Sequence, residues 1–186
     1  MGLNDIEVML DLESMGVGVK PALIQVAAVA FNKVTGEEIS TFDYKVDLYS
    51  SMSYGLDITA STIKFWMTHP SVNDETREIV MSGTDTLTEV LEKFSDWYTS
   101  LSDDKCLVWG NGAASDNVWL RSAYDATGLS CPFTFREDMC LRTLRSIANV
   151  KGYERLFLFE GNQHDGLDDC RYQIQDLIEI KEFLNI

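Results

Sequence analysis

Paired carboxylates near the amino terminus are the strongest chemical signal in the chain. Asp11 and Glu13 lie two residues apart at the end of a segment, residues 6–12, in which apolar and polar residues alternate. Because successive side chains of a β-strand point to opposite faces, both carboxylates project from the same face. Carboxylate oxygens are the hard ligands that Mg²⁺ and Mn²⁺ prefer. The pair therefore predicts a divalent-metal site at the end of a strand.

A second acidic pair, Asp5 and Glu7, lies on the same predicted strand. Such pairs arise by chance in a chain with 30 acidic residues. Asp11 and Glu13 are the better candidates because a Ser-Met-Gly turn, in which a ligand can approach the backbone, follows them directly. We expect Asp5 and Glu7, at the entry end of the strand, to be solvated.

Asp116, His164 and Asp169, which lie much later in the chain, complete the set of candidate catalytic residues. Asp116 follows a predicted buried strand and a segment rich in glycine and alanine, although an acid capped by Ser115 at a helix start is an alternative interpretation. His164 lies in a loop or at a helix start, and Asp169 lies in the first turns of that helix. Imidazole titrates near neutrality, which suits a general base that deprotonates a water molecule.

Some neighbouring residues compete for these roles. His69 also has an acid five residues later, Asp74, but it precedes a proline in a polar stretch, and we interpret it as a surface residue. Asp165 and Asp168 are alternatives to Asp169 as metal ligands. On a helix, Asp168 points about 100° away from Asp169.

Composition limits the class of protein. The chain has 186 residues and a net charge of −15. One mixed α/β domain, residues 1–186, accounts for this length. The charge argues against a protein that grips long duplexes through many phosphates, although two bound divalent cations would supply about four positive charges locally.

The cysteines and the hydropathy pattern bear on location. Cys106, Cys131, Cys140 and Cys170 form no CxxC pair, so a structural zinc site is not expected, and Cys106 and Cys170 lie in apolar or helical patterns. No apolar run reaches the roughly 18 residues that span a bilayer, and no export signal is evident. We therefore expect no membrane association and a cytoplasmic location, in the host cytoplasm if the protein is encoded by a phage.

The periodicity of apolar residues positions these groups. It predicts three consecutive strands joined by short turns, and then helices alternating with strands. The predicted strands cover residues 6–12, 21–31, 38–48, 106–109 and 133–135, and the predicted helices cover residues 60–68, 72–82, 87–101, 116–127, 139–149 and 166–184.

Taken together, these pieces resemble the three motifs of the DEDDh 3′–5′ exonucleases of the ribonuclease H-like superfamily. The resemblance is carried by Asp11-Leu12-Glu13, by Asp116, and by His164 followed five residues later by Asp169. The group of phage exonuclease A and the mycobacterial-type exoribonuclease is the most similar, through the segments 8–16, 109–112, 139–144 and 164–169. The resemblance implies a mixed sheet, three antiparallel strands followed by alternating helices and strands, flanked by helices.

The resemblance also implies a site and a reaction. Asp11, Glu13, Asp116 and Asp169 would hold two Mg²⁺ or Mn²⁺ ions for an in-line displacement, with His164 as the base and a nucleoside 5′-monophosphate as product. The implied substrate contacts are Ser14, Met15, Asn111 and Trp66, although Trp66 is equally consistent with a core tryptophan. The chain departs from many family members in having Ser115 directly before the second-motif aspartate and Gly166 two residues after the histidine.

Several alternatives stay open at the level of sequence. The expected substrate is the 3′ end of single-stranded nucleic acid, with DNA slightly favoured over RNA. An RNA-specific exoribonuclease is the nearest alternative, since one contact to a 2′-hydroxyl decides the sugar. A proofreading subunit of a polymerase and a non-catalytic acidic mimic of DNA are others. A homodimer is consistent with the sequence, but no segment identifies an interface.

Overall fold

The computed structural model describes residues 5–186, except for the side chains of Val80 and Met81. Five strands form one sheet, and helices cover both of its faces. The strands are β1 (Ile6–Ser14), β2 (Leu23–Asn32), β3 (Glu38–Lys45), β4 (Leu107–Gly110) and β5 (Asp138–Cys140). The helices are α1 (Leu48–Ser53), α2 (Ala60–Thr68), α3 (Asp74–Ser82), α4 (Leu87–Ser100), α5 (Asp116–Thr127), α6 (Leu141–Val150) and α7 (Gly166–Leu184).

The sheet is mixed, as the sequence predicted. Its strand order is β3-β2-β1-β4-β5. β1, β2 and β3 form an antiparallel meander, whereas β4 and β5 lie parallel to β1 on its other side. The central strand β1 is therefore hydrogen-bonded on both sides along its first half. None of the helices in residues 5–186 is long and apolar enough to cross a membrane.

Alternation along β1 and β2 divides the core between the two faces of the sheet. Val8 and Leu10 pack with apolar residues of α4 and α5 on one face. Met9 and Val29 pack against α6 and α7 on the other face. The acidic residues of β1 share the α7 face, so the end of that face lies beside the first turns of α7.

Several helix predictions were accurate to the residue, and some of the predicted end signals are observed. The observed bounds of α2, α5 and α7 coincide with the predicted ones. Thr86 and Glu89 form the predicted capping box at the start of α4. Gly128 ends α5 with a φ of 74°, the left-handed conformation that glycine adopts most readily.

The prediction of a last strand at residues 133–135 was wrong. Thr134 and Glu137 instead close a turn, in which the Thr134 N–H donates to the Glu137 carboxylate at 2.6 Å. Phe133 packs in the core, whereas Phe135 is 70% exposed. The fifth strand is the three-residue β5, which pairs with β4. It is too short to show a periodicity of its own.

The third strand also ends earlier than predicted. The sequence predicted a strand to residue 48, but β3 ends at Lys45 and the short helix α1 begins at Leu48. Asp47 caps that helix by accepting hydrogen bonds from the N–H groups of Tyr49 and Ser50. The apolar Leu48 therefore belongs to a helix rather than to the strand.

The expectation that Glu7 is solvated was also wrong. Glu7 is only 7% exposed. Its carboxylate accepts hydrogen bonds from Trp109 Nε1 at 2.7 Å and from Lys181 Nζ at 3.1 Å. Glu7 thus joins β1, β4 and α7 at the end of the sheet opposite to Asp11 and Glu13. The burial of Glu7 could not be predicted from sequence because its partners, Trp109 and Lys181, lie more than 100 residues away along the chain.

Candidate active site

The candidate site forms where β1 extends beyond its parallel neighbour. Pairing of β1 with β4 ends at the pair Leu10 and Gly110, whereas β1 continues to Ser14. Asp11 and Glu13 lie on this extension, on the face that α7 covers. On the β4 side, no described strand pairs with β1 beyond Leu10. The Asp116 carboxylate lies against this edge instead and accepts a hydrogen bond from the Leu12 N–H.

Asp11 is held from the side of α7. Gln173 Nε2 donates a hydrogen bond of 2.8 Å to Asp11 Oδ1. Burial raises the pKa of Asp11 well above its ordinary value, and the negative charges of Asp116 and Asp169 raise it further. These two acids are therefore close enough to repel Asp11, as a shared metal site requires.

Asp116 enters the site from the first turn of α5. The Gly112 N–H donates to Asp116 Oδ2 at 3.3 Å. Burial raises the pKa of Asp116 to about 6, partly offset by hydrogen bonds from backbone N–H groups. A side chain at Gly110 would lie 3.0 Å from Asp116 Oδ2, so glycine makes room for the carboxylate. Ser115 occupies the N-cap position but makes no capping hydrogen bond with its side chain.

Asp169 and His164 close the site from the start of α7. The His164 N–H donates to Asp169 Oδ2 at 3.0 Å. Glu13, His164 and Asp169 each offer one ligand atom, and these atoms lie within 4.8 Å of one another. Burial raises the pKa of Asp169 to about 6. Burial also raises the pKa of Glu13, with the charges of Asp11, Asp169 and Asp116 adding to the effect.

The two competing acids of this segment have structural roles. Asp165 is the N-cap of α7 and accepts hydrogen bonds from the Leu167 and Asp168 N–H groups. Asp168 accepts from the Asn162 N–H and lies 3.5 Å from Arg171 Nη1. The Asp168 carboxylate is thus engaged by Asn162 and Arg171, as its predicted rotation away from Asp169 implies. The charge of Asp165 is near enough to raise the pKa of both Asp11 and Glu13.

A cleft of about 400 Å³ adjoins Glu13 and His164. Its walls include Ser14, Phe65 and Trp119, and the last two present partly exposed aromatic rings. The hydroxyl of Ser14 donates to the Gly16 carbonyl at 2.7 Å. A cleft of this size with aromatic side chains in its wall suits a small ligand that carries a planar ring.

Three of the residues that the resemblance implied as substrate contacts make contacts within the protein. Met15 is 6% exposed and packs in an apolar cluster beneath the cleft. Trp66 is 3% exposed, and its Nε1 donates to the Ser14 carbonyl at 3.0 Å. Trp66 lines the cleft, but burial leaves little of its ring to stack on a base. The Asn111 side chain accepts a hydrogen bond from Arg145, on the α6 side.

Sequence reasoning missed several residues of the site. Gln173 carries no motif, although its position one helical turn after Asp169 places it on the same face of α7. Phe65 and Trp119 read as ordinary helix aromatics. His69 is exposed, as expected, but Ser71 connects it to His164.

Comparison with known families decides the identity of this arrangement. The model of the 3′–5′ exoribonuclease Rv2179c-like domain matches residues 6–180. The chain belongs to this family. The members of this family are 3′–5′ exonucleases and therefore hydrolases. No curated protein sequence is significantly similar to the chain.

Solved structures with the same fold support the assignment. The nuclease domain of 3′hExo, described as a DEDDh family member bound to rAMP, has a TM-score of 0.67 and 17% identity, over 97% of this chain and 94% of that one. Cell-death related nuclease 4 has a TM-score of 0.68 and 18% identity, over 97% and 64%. A zinc-bound complex of E. coli ExoI with single-stranded DNA has a TM-score of 0.70 and 12% identity, over 96% and 41%.

The chain therefore spans 64% of cell-death related nuclease 4 and 41% of ExoI. At these identities the likeness shows the fold. The predicted α/β ribonuclease H-like sheet and the resemblance to DEDDh exonucleases are confirmed.

Proposed function

We propose that the protein is a divalent-metal-dependent 3′–5′ exonuclease that releases nucleoside 5′-monophosphates from single-stranded nucleic acid. One observation carries the proposal. Four carboxylates from three separate elements converge beside a histidine at the end of β1, and all four have a raised pKa. A fold does not gather mutually repelling acids without a cation or a proton to neutralise them. The four are Asp11, Glu13, Asp116 and Asp169.

The donor set fits Mg²⁺ or Mn²⁺. All four carboxylates offer hard oxygen ligands. The ligand oxygens of Glu13 and Asp169 lie within 4.8 Å of each other, close enough to bind one ion. We propose two ions, which Asp11, Glu13, Asp116 and Asp169 would hold; the charges of both Asp116 and Asp169 act on Asp11, which places it among these ligands. When bound, the ions supply the positive charge that favours deprotonation of the attacking water and stabilises the leaving 3′-oxygen.

His164 is the proposed general base. Burial lowers the pKa of His164, and the nearby His69 lowers it further. The imidazole is therefore neutral at pH 7 and ready to accept a proton. Its backbone N–H is fixed on Asp169, so the base and one metal ligand move together.

The cleft is the proposed seat of the terminal nucleotide. Phe65 and Trp119 replace Trp66 as the residues expected to stack on the base, since their rings are partly exposed. We propose RNA ends as the preferred substrate, because the family that the chain matches is described as an exoribonuclease. This reverses the slight preference for DNA that the sequence suggested.

The decisive experiment compares wild type with Asp11→Ala on matched single-stranded RNA and DNA oligonucleotides labelled at the 5′ end. We expect a ladder that shortens from the 3′ end with Mg²⁺ or Mn²⁺, is abolished by EDTA and is absent in the variant. Faster cleavage of RNA would support the proposed sugar preference. Folded wild type that cleaves neither would refute the enzyme and favour the acidic interaction protein suggested by the net charge of −15.

Broader properties of the protein are also proposals. We propose that residues 1–186 act as one exonuclease domain in the cytoplasm, without a membrane partner. A homodimer and association with a polymerase stay as hypotheses. Light scattering of the purified protein would give its mass, and copurification would test for a polymerase partner.

A further inference from the structure

The connection between α2 and α3 lies against the loop that carries His164. Ser71 Oγ lies 2.9 Å from His164 Nε2 and 2.6 Å from His69 Nδ1. Two histidines separated by 95 positions in sequence are therefore bridged by one hydroxyl. Ser71 and His69 belong to none of the three motifs of the site.

The direction of each hydrogen bond follows from the backbone. The Ser71 N–H donates to His69 Nδ1 at 3.3 Å, so this nitrogen is an acceptor and carries no proton when the ring is neutral. The Ser71 hydroxyl therefore donates to the same nitrogen. Its oxygen is then left to accept, and the donor must be the N–H at His164 Nε2. This order leaves Nδ1 as the His164 nitrogen with a free lone pair.

Further polar contacts hold the two segments together. Asn73 Nδ2 donates to Asn162 Oδ1 at 3.0 Å, and Asn162 Nδ2 donates to Glu75 Oε2 at 3.0 Å. Thr76 Oγ1 donates to the Gln163 carbonyl at 3.3 Å. Residues 162–164 of the loop are therefore hydrogen-bonded to the segment between Ser71 and Thr76. Without these contacts, the His164 ring, which Ser71 holds at one edge, would move whenever its loop moved.

The backbone of His164 explains why such a partner is needed. His164 has a φ of 67°, in the left-handed region that residues with a Cβ rarely adopt. Conformations of this kind persist only when surrounding contacts impose them. The Phe65 ring meets the imidazole edge to face, with centroids 5.0 Å apart, and restricts its rotation further.

We propose that Ser71 and His69 are positioning residues for the exonuclease reaction, acting through His164. The relay of His69, Ser71 and His164 fixes the tautomer and the orientation of the imidazole, so that Nδ1 is the nitrogen presented for proton transfer. The inference rests on the proposed function for its kinetic consequence, but the tautomer itself is a property of the folded protein. A partner that orients a reacting histidine typically contributes roughly tenfold to a hundredfold in activity.

The kinetic test uses Ser71→Ala, Ser71→Thr, His69→Ala and His69→Asn. We expect Ser71→Ala to lower kcat about tenfold to a hundredfold with KM within about twofold. Ser71→Thr keeps a hydroxyl and His69→Asn keeps an acceptor near the position of Nδ1, so both should recover most of the lost kcat relative to the alanine variants. Thr68→Ala is the matched control, since its hydroxyl bonds only the Lys64 carbonyl on the same exposed surface.

A second readout does not require activity. Nitrogen-15 NMR of histidine-labelled protein reports which ring nitrogen is protonated. We expect neutral His164 to carry its proton at Nε2 in wild type and to populate both tautomers in Ser71→Ala. Wild type protonated at Nδ1, or unchanged spectra together with unchanged kcat in Ser71→Ala, would overturn the relay. Wild type without activity but with the expected spectra would refute the proposed function and leave the tautomer assignment standing.

Discussion

At the scale of single residues, Asp11 is where the electrostatics of the site converge. Its carboxylate has one hydrogen bond, from Gln173, against the repulsion of Asp116 and Asp169. The raised pKa of Asp11 means that the metal-free fold favours its protonated form. A neutral residue of the same shape should therefore suit that fold better than the native acid.

Asp11→Asn separates stability from activity. The amide oxygen can still accept from Gln173 Nε2, while the charge that opposes Asp116 and Asp169 is gone. We expect the melting temperature in EDTA to rise by about 2–4 °C, which corresponds to about 1 kcal/mol for a chain of this size. Nuclease activity should fall by a factor of about a thousand or more, since a proposed metal ligand is lost.

The control for that comparison is Asp74→Asn, an exposed acid paired only with Arg77. It should change neither quantity appreciably. A melting temperature of Asp11→Asn below that of wild type in EDTA would contradict the repulsion that the raised pKa of Asp11 implies.

The residue types of the proposed ligands could be predicted because carboxylates at strand and helix ends have a characteristic order along the chain. Gln173 could not, because an amide on a helix has many structural roles and only the fold shows its distance to Asp11. Glu7 was misjudged for the same reason, since the spacing of an acidic pair does not show that Trp109 and Lys181 close over one of them.

At the scale of elements, the start of α7 controls the site because it carries Asp169 and directly follows the loop that carries His164. A Cβ at Gly166 would lie 2.6 Å from the Cβ of Ala27 on β2. The Gly166 N–H also donates to Gln25 Oε1 at 3.2 Å. Glycine is thus required for α7 to approach the sheet, which explains this departure from family members that have alanine.

Gly166→Ala should push the first turn of α7 off the sheet. We expect a loss of about 1–3 kcal/mol in stability, the usual effect of overpacking, and lower activity because Asp169 moves with the helix. Thermal melting and the oligonucleotide assay measure the two effects. Gly18→Ala is the control, because a Cβ there meets nothing within 4 Å. Equal behaviour of the two variants would refute the close approach.

Glu7 tests the other end of the same sheet. Glu7→Ala leaves the Trp109 and Lys181 donors without this acceptor in a buried setting, and we expect a loss of about 1–3 kcal/mol on urea denaturation. Metal-dependent activity per folded molecule should be retained, since Glu7 lies away from the ligands. Glu37→Ala, at an exposed acid, should be neutral. Loss of activity without loss of stability would contradict this structural role.

Element boundaries were predictable where local chemistry defines them. A capping box, an N-cap or a left-handed glycine acts within four residues, so the ends of α4, α5 and α7 could be located from sequence. β5 and the end of β3 could not. A strand of three residues exists because β4 offers it hydrogen bonds, and that partnership is a property of the tertiary structure.

At the scale of the whole molecule, the excess of acids makes stability depend on pH and metal. Asp116 and Asp169 each have a pKa of about 6 in the fold, against roughly 3.9 in an unfolded chain. Between about pH 4 and pH 6 the folded protein therefore binds more protons than the unfolded chain. Stability consequently falls as pH rises through this window.

We expect the metal-free protein to melt at a higher temperature at pH 5.5 than at pH 7.5. The lowered pKa of His164 acts in the opposite direction, but it is one group against four carboxylates with raised pKa values. Saturating Mg²⁺ or Mn²⁺ should raise the melting temperature most at pH 7.5, where the carboxylates are ionised and the cations bind best. Scanning fluorimetry across this range measures both effects. A metal shift that is absent at pH 7.5 would count against the site.

The length of β4 has a consequence for how open this molecule is. β4 pairs with β1 over four residues and ends at Gly110, so beyond Leu10 the only described strand paired with β1 is β2. Two more residues of β4 would compete for the space in which the Asp116 carboxylate now meets the Leu12 N–H. The length of β4 therefore affects how accessible the carboxylates at the end of β1 are. Among proteins built on this plan, insertions after the equivalent glycine should trade access to the site for a longer sheet.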